Sequence, residues 1–387
     1  MQAKQYDYIF LGAGCATLSI VMRMIASEKF SNKKILLIDK DDKKKNDRTW
    51  CFWEDGEGFF EKIVYHKWEH LFFSTDDENI PLDISPYQYK MIRGIDFYQY
   101  CFSVINAQLN IDVINGNISF DDENISSKIF FNGEVLLLKK SAYIFNSIHV
   151  PGKKQRGRFY LLQHFKGWII ETNENYFDIN KATLMDFRVR QDLGTTFVYV
   201  LPLSPGKALI EYTLFTEKLL SQNEYNAALK DYISSFLKLE NYKIIDEEYG
   251  VIPMTNATFP DYENGMYYIG TAGGNTKAST GYTFRFIQKQ ANTIVEELVK
   301  NKDVIKLRKP HKRFYFYDST LLHILSKKLL GGKEIFSVLF KKNRASTVLK
   351  FLDNETSISE EIKLLNSLPK KIFIKAGFKE LVKNLIK

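Results

Sequence analysis

The chain opens on a continuous apolar run of strand length, Tyr6 to Gly12 (YDYIFLG). Glycines follow it, and then Leu18, Ile20, Val21, Met24 and Ile25 recur with a helical period. Lys33 to Asp39 (KKILLID) is a second unbroken apolar run, and it ends in an acid. This pattern predicts strand, tight turn, helix and strand, a βαβ unit whose strands are covered on both faces. Residues 41–47 read as a charged loop. From Trp50 to Ile148 the pattern breaks into short strands and one helix over 96–109. Strand signals then dominate residues 156–216, in RGRFYLLQHFKGWIIET, ATLMDFRV, GTTFVYVLPLS and KALIEYTLF, with Pro205-Gly206 turning the last pair into a hairpin. An antiparallel sheet is expected there. Helices are expected over 225–237 and 282–299, the second preceded by a strand and glycine loop (MYYIGTAGG), and the tail has helical spacing throughout. There is no internal repeat or low-complexity linker.

With 387 residues, 45% hydrophobic and 26% charged, the composition excludes disorder and suits two or three domains. Three widely spaced cysteines, Cys15, Cys51 and Cys101, support neither a disulfide framework nor a cysteine zinc site, and a reducing cytosol fits them. The first residues enter a strand without the pattern of an export signal. No run of about 18 apolar residues occurs, so any membrane contact is expected to be peripheral. Charge is uneven: residues 301–387 hold 20 Lys and Arg against 8 Asp and Glu, leaving −4 on the first 300 of a chain whose net charge is +8. Such an end suits anionic lipid, nucleic acid or an acidic partner, and charge alone does not choose.

Gly12-Ala-Gly14-Cys-Ala16-Thr17 lies between the first strand and helix, where small residues let a pyrophosphate approach the backbone and the positive helix end. An ordinary tight turn is the bland alternative. Asp39, closing the next strand, favours the dinucleotide reading and is expected to hold the ribose. A second cluster, Gly270-Thr271-Ala-Gly273-Gly274 through Gly281, repeats strand, glycine loop and helix, as if closing over the same long ligand. Glu211 interrupts the run ALIEYTLF. Spacing alone favours a solvent-facing strand residue, and the alternative is a carboxyl in an apolar cavity, kept protonated by desolvation. Asp186 and Arg188 allow the same two readings, with a structural ion pair preferred. Arg93 would pair with a cofactor or a nearby acid, and Trp50 and Trp53 would line a cavity or fill core. The histidines include no HExxH and the serines no GxSxG, so metal hydrolysis and serine-hydrolase chemistry lack support.

The ordered set FLGAGCA, DRTWCFW, MIRGIDFY, MDFRVRQ, GTTFVYVLPLSP, LIEYT, GTAGGNTKASTGYTF, FYDSTLLHIL and KFLDNET resembles the lycopene cyclase family over nearly the whole chain. The resemblance implies a Rossmann-type α/β FAD-binding fold of the glutathione-reductase and hydroxybenzoate-hydroxylase type. It also implies an interleaved antiparallel-sheet substrate domain and a helical C-terminal region. The FAD-binding domain is expected over 1–80 and 256–300 with part of 81–155, the substrate domain mostly over 81–255, and a basic helical region over 301–387. By the same resemblance Glu211 falls on the position of the catalytic acid or base. Gly12, Gly14, Ala16 and Asp39 fall on the adenosine side of FAD, and Thr271, Gly281 and, less closely, Arg93 on the flavin side. Thr17 and Thr271 depart from the wider flavoprotein pattern, and LIEYT carries one acid where some members have two, so a second carboxyl would come from elsewhere, such as Asp186.

The implied activity is the redox-neutral cyclisation of the linear ends of lycopene to β-rings with reduced FAD, NAD(P)H serving as its reductant. Lycopene and other carotenoids would be partners, with no nucleic acid, and the protein would be cytoplasmic and peripheral to the inner face of the membrane. Phe314, Phe316, Leu321, Leu322, Ile324, Leu325, Leu329 and Leu330, beside lysines, offer an interfacial helix, or else a helix packed on the core. The rival readings are an FAD monooxygenase or isoprenoid reductase on the same scaffold, and a carotenoid carrier without catalysis.

Overall fold

The computed structural model describes residues 2–3, 5–120, 128–148, 154–300 and 312–385. Its first layer is a six-stranded sheet in the order Tyr262–Glu263, Met266–Tyr268, Tyr143–Asn146, Tyr8–Leu11, Ile35–Asp39, Ile111–Asn115. All pairs are parallel except the first. The Tyr8–Leu11 strand is central and wholly buried, as its unbroken apolar run requires of a strand covered on both sides. The Cys15–Ala26 and Phe284–Val299 helices pack together and share one apolar cluster with Phe10, Leu37 and Phe145 of this sheet.

The second layer is a seven-stranded sheet in the order Lys243–Thr255, Tyr160–Glu171, Lys207–Thr216, Thr195–Ser204, Lys181–Asp186, His70–Ser74, Asn79–Leu82. Pro205-Gly206 turns the Thr195–Ser204 and Lys207–Thr216 strands back on one another. The sheet is antiparallel except where Lys181–Asp186 runs parallel to His70–Ser74. That hairpin, residues 70–82, belongs to this sheet, so an FAD-domain boundary at 80 falls inside it. The long Lys243–Thr255 edge strand has no counterpart among the expected elements, because Asp246, Glu247 and Glu248 interrupt its apolar run. A third sheet, Thr49–Asp55, Tyr87–Arg93 and His66–Trp68, completes the strands that matter for the site.

Both faces of the seven-stranded sheet are covered. On Lys207–Thr216, Ile210, Tyr212 and Leu214 face the Gln222–Ser235 helix, where they meet Tyr225, Leu229, Tyr232 and Ile233. A capping box at Ser221 and Glu224 starts that helix. Leu209 and Phe215 face the other way, into a cluster shared with the C-terminal helices. Glu211 therefore lies on a covered face, against the solvent-facing position that its spacing favours.

Among the described residues the tail forms five helices, Lys312–Ser326, Gly332–Lys342, Ala345–Leu352, Ile358–Ser367 and Lys370–Leu385. Of the two readings of the stripe from Phe314 onward, the helix packed on the core is the one that forms, with Leu329 left exposed. Phe314, Leu322 and Ile324 are buried, and Leu321, Leu325 and Leu330 pack on the core cluster beneath, so this stripe is spent on folding. Among the described residues, no helix is long and apolar enough to cross a membrane.

Candidate active site

The chain leaves Leu11 through Gly12, whose φ of +87° a side chain would strain and whose missing Cβ leaves room for Ser147. Gly14 then caps the Cys15–Ala26 helix without any side-chain hydrogen bond. The first-turn N–H groups, and the positive end of the helix, are thus free to face the pocket that Gly14, Cys15 and Ala16 line. The Asp39 carboxylate closes the turn from the next strand, accepting from Ala13 N at 2.5 Å and Asp41 N at 2.8 Å, with Lys43 Nζ at 3.5 Å.

The second glycine loop does come back to the first. A Cβ on Gly270, where φ is +60°, would lie 2.7 Å from Ala16 Cβ, so the two loops approach more closely than side chains allow. Thr271 follows in the same turn and lines the same pocket. Gly281, with φ of +74°, precedes the Phe284–Val299 helix, whose N-cap Thr283 makes no side-chain cap bond either. Two uncapped helix ends and a path of glycines and alanine thus meet one pocket of about 430 Å³, within the usual range for ligand sites. The arrangement fits a long, anionic ligand such as FAD, which Gly14, Cys15 and Ala16 would hold at the first helix and Thr271 and Gly281 before the second.

Arg93 is not among the residues lining this pocket. Its guanidinium is engaged by Asp96 at 2.6 and 2.8 Å and stacks over Tyr65, 3.9 Å from the ring centroid. Trp50 does line the pocket, edge-on to Phe97, whereas Trp53 is core and packs edge-on against Tyr282. Asp186 is also away from it, buried and held by Arg188 and by the Tyr232 hydroxyl at 2.7 Å. The preferred structural reading of that pair matches this placement.

Glu211 lies on the pocket wall, and the register explains its neighbours. Tyr199 and Gly167 stand opposite it on the two flanking strands, and Gly167 in turn stands opposite Glu248. Paired residues share a face, so Tyr199, Glu211 and Glu248 project to the same side across a row interrupted by glycine. Thr213 donates to Glu211 Oε1 at 2.8 Å, and Thr49 donates to Glu248 Oε2 at 2.6 Å. Around the two carboxyls stand Cys51, Tyr89, Tyr199 and Tyr282, all neutral groups whose pKa burial pushes upward.

Both glutamates are only half-buried by surface area because they face the pocket, yet protein surrounds them closely enough for desolvation to dominate. Desolvation, then the charge of Glu248 and a hydrogen bond to it, raise Glu211 well above the ordinary carboxyl range. Glu248 is raised too, first by desolvation, while accepting that bond and the Thr49 hydroxyl act the other way. The pair is therefore disposed to keep a proton that ordinary carboxyls release. Sequence reasoning missed Glu248. The available signal was Gly167 inside a strand run, which marks a close approach.

The comparisons bear on the fold and on the family. A geranylgeranyl bacteriochlorophyll reductase-like protein from Thermoplasma acidophilum superposes with a TM-score of 0.64 at 13% identity, covering 97% of this chain and 99% of its own. A flavin-dependent brominase superposes with a TM-score of 0.58 at 12% identity, covering 99% and 100%. The fold is thus one shared with a flavin-dependent protein, as the sequence implied. A lycopene beta-cyclase from Pantoea ananas is 23% identical over 291 residues, 72% of this chain and 71% of that one. The family model described as lycopene cyclase protein matches residues 7–376, and the chain belongs to that family.

Proposed function

We propose that the protein is a lycopene beta-cyclase, converting the linear ends of lycopene to β-rings, with γ-carotene as the one-ring intermediate and β-carotene as product. One observation carries the reading: a pair of enclosed carboxyls, without a cation partner among the described residues, stands in the same pocket as the two glycine loops. Glu211 gives its proton to C2 of the terminal double bond, leaving a tertiary cation at C1. The C5–C6 double bond closes on C1, and loss of the C6 proton leaves the ring alkene. No electrons are gained or lost. Tyr89, Tyr199, Tyr282 and Phe165 line the pocket and supply aromatic rings for the cation. Reduced FAD would supply negative charge beside that cation, with NAD(P)H as the source of its electrons.

Because the substrate is a membrane hydrocarbon, the reading places the protein in the cytoplasm against the inner membrane face. The Lys370–Leu385 helix supports it: Ile374, Phe378, Leu381 and Val382 are exposed beside the exposed Lys371, Lys375 and Lys379, while Ala376 and Glu380 are buried. Sedimentation with phosphatidylglycerol vesicles should fall sharply in a Phe378→Asp variant.

The decisive test is expression in lycopene-accumulating cells, followed by pigment chromatography. β-Carotene and γ-carotene are expected. A hydroxylated or hydrogenated pigment would assign the chain to the oxygenase or reductase reading, and unchanged lycopene with flavin-loaded protein to the carrier.

A further inference from the structure

Glu211 and Glu248 belong to strands that are not neighbours. The Tyr160–Glu171 strand lies between them, so their backbones are two strand spacings apart, roughly 9.5 Å. They meet because the intervening position is Gly167. A Cβ there would stand 2.8 Å from Glu248 Cγ, 3.2 Å from Glu248 Oε1 and 2.8 Å from Leu209 Cδ1. The Glu248 side chain therefore lies across the glycine, toward Glu211.

The donors complete the picture. Each carboxyl receives one threonine hydroxyl, from Thr213 and Thr49. Glu248 Oε1 is buried and receives a hydrogen bond from no fixed donor. Among the described residues no lysine, arginine or histidine pairs with either carboxyl. The neighbouring Glu247 instead takes Lys166 at 2.9 Å. The groups that face the pair are Cys51 from the Thr49–Asp55 strand, Tyr89 from Tyr87–Arg93, Tyr199 from Thr195–Ser204 and Tyr282 from the loop before the Phe284–Val299 helix. Asp246 acts on Glu248 from its own strand. Lys43, Asp47 and Arg48 line the same pocket. Two carboxylates in contact without a cation repel each other strongly, whereas one shared proton turns the repulsion into a hydrogen bond.

We propose that Glu248 is the positioning residue of the acid: it shares one proton with Glu211 across Gly167, keeps that proton on Glu211 until substrate arrives, and returns it there afterwards. Glu211 O–H supplies the donor that Glu248 Oε1 lacks. Once the proton has gone to C2 of the substrate, both carboxyls are anionic beside the carbocation. The C6 proton then returns to the pair, so that protons and electrons balance over the cycle. The identity of the substrate rests on the proposed function, but the pairing does not.

The test uses flavin-loaded protein and two readouts. Infrared difference spectra taken without substrate should show a protonated carboxyl band at neutral pH that is absent from Glu211→Gln. In Glu248→Gln that band should titrate about one pH unit or more lower, a tenfold or greater loss of proton affinity, because the like charge is gone. The alkaline limb of kcat/KM with vesicle-dispersed lycopene should move down with it. Gly167→Ala, whose Cβ would push Glu248 aside, should move the band in the same direction, and serves if the first variant does not fold. A wild-type band absent at neutral pH, or one that titrates at an unchanged pH in Glu248→Gln or Gly167→Ala, overturns the proposal. If the band behaves as expected but lycopene is returned unchanged, the pairing stands and the cyclase reading falls.

Discussion

Two acids lie on the seven-stranded sheet and have opposite fates. Asp186 is 1% exposed and meets a cation: Arg188 grips it through Nε at 2.9 and 3.1 Å, and the Tyr232 hydroxyl and Arg188 backbone N–H complete its shell at 2.7 and 3.0 Å. Glu211 points to the other face of the sheet and meets a second carboxyl, with Thr213 as its one fixed donor among the described residues. The first acid is a satisfied anion that ties the Gln222–Ser235 helix to the sheet. The second is an acid that its surroundings keep from ionising. What separates a structural carboxylate from the proposed proton donor here is the partner, not the depth.

The largest effect expected from breaking the comparison is on turnover. Glu211→Gln keeps the shape and the Thr213 contact but has no proton to give, so cyclisation should fall by about 10²- to 10⁴-fold, the usual worth of a general acid. Flavin content, read from the visible absorbance, should be unchanged, because Glu211 is not part of the glycine cradle. Asp186→Asn should leave turnover per flavin-loaded molecule within a few-fold of the parent. Equal losses in both variants would erase the distinction.

Stability should rank the two the other way. Asp186→Ala leaves Arg188 and the Tyr232 hydroxyl without their acceptor, and should cost about 2–3 kcal/mol in urea unfolding, below the full value for a buried pair because Arg188 is 34% exposed. Glu211→Gln removes an acid that resists ionisation and should be neutral or stabilising.

The pH dependence sharpens this further. Glu211 is raised in the folded state, so above about pH 4.5 the unfolded chain loses this proton while the folded one keeps it. Stability from this group is therefore full below 4.5 and declines as pH rises toward the folded value. His164 has the opposite sign: burial holds it at about 4, so its contribution is complete above pH 6.5 and lost on acidification toward 4. From pH 7 upward only the first trend remains of these two. Melting temperatures of the parent should fall more steeply with pH there than those of Glu211→Gln, and parallel curves would argue against a raised carboxyl.

Much of this was legible in the sequence, and what was not has physical reasons. The first strand, its glycine turn and Asp39 are local in sequence, so periodicity and turn chemistry reach them. Glu211 was found by resemblance, because a lone acid in ALIEYTLF reads as solvent-facing until the C-terminal helices are known to cover that face. Glu248 was missed since its strand, KIIDEEYGVIPMT, lies at the sheet edge, where exposed acids dilute the alternation. Its meeting with Glu211 depends on strand order, which no local pattern encodes. Likewise Arg93 sits only three residues before Asp96, and that short-range pair takes it away from the pocket.

The smallest expected effect concerns the single donor that Glu211 does have. The Thr213 hydroxyl, 2.8 Å from Oε1, favours the ionised form and so works against the desolvation that raises this acid. Thr213→Val keeps the branched shape in a fully buried site but removes that donor. The alkaline limb of the activity profile should then move up by a fraction of a pH unit, on the order of 1 kcal/mol or less for one neutral hydrogen bond. Removing charge at Glu248 should move the same limb down. Two neighbours on one face shifting one acid in opposite directions would show that its proton is held by the balance of donor and like charge, and a downward shift in Thr213→Val would show instead that the hydroxyl stabilises the protonated form.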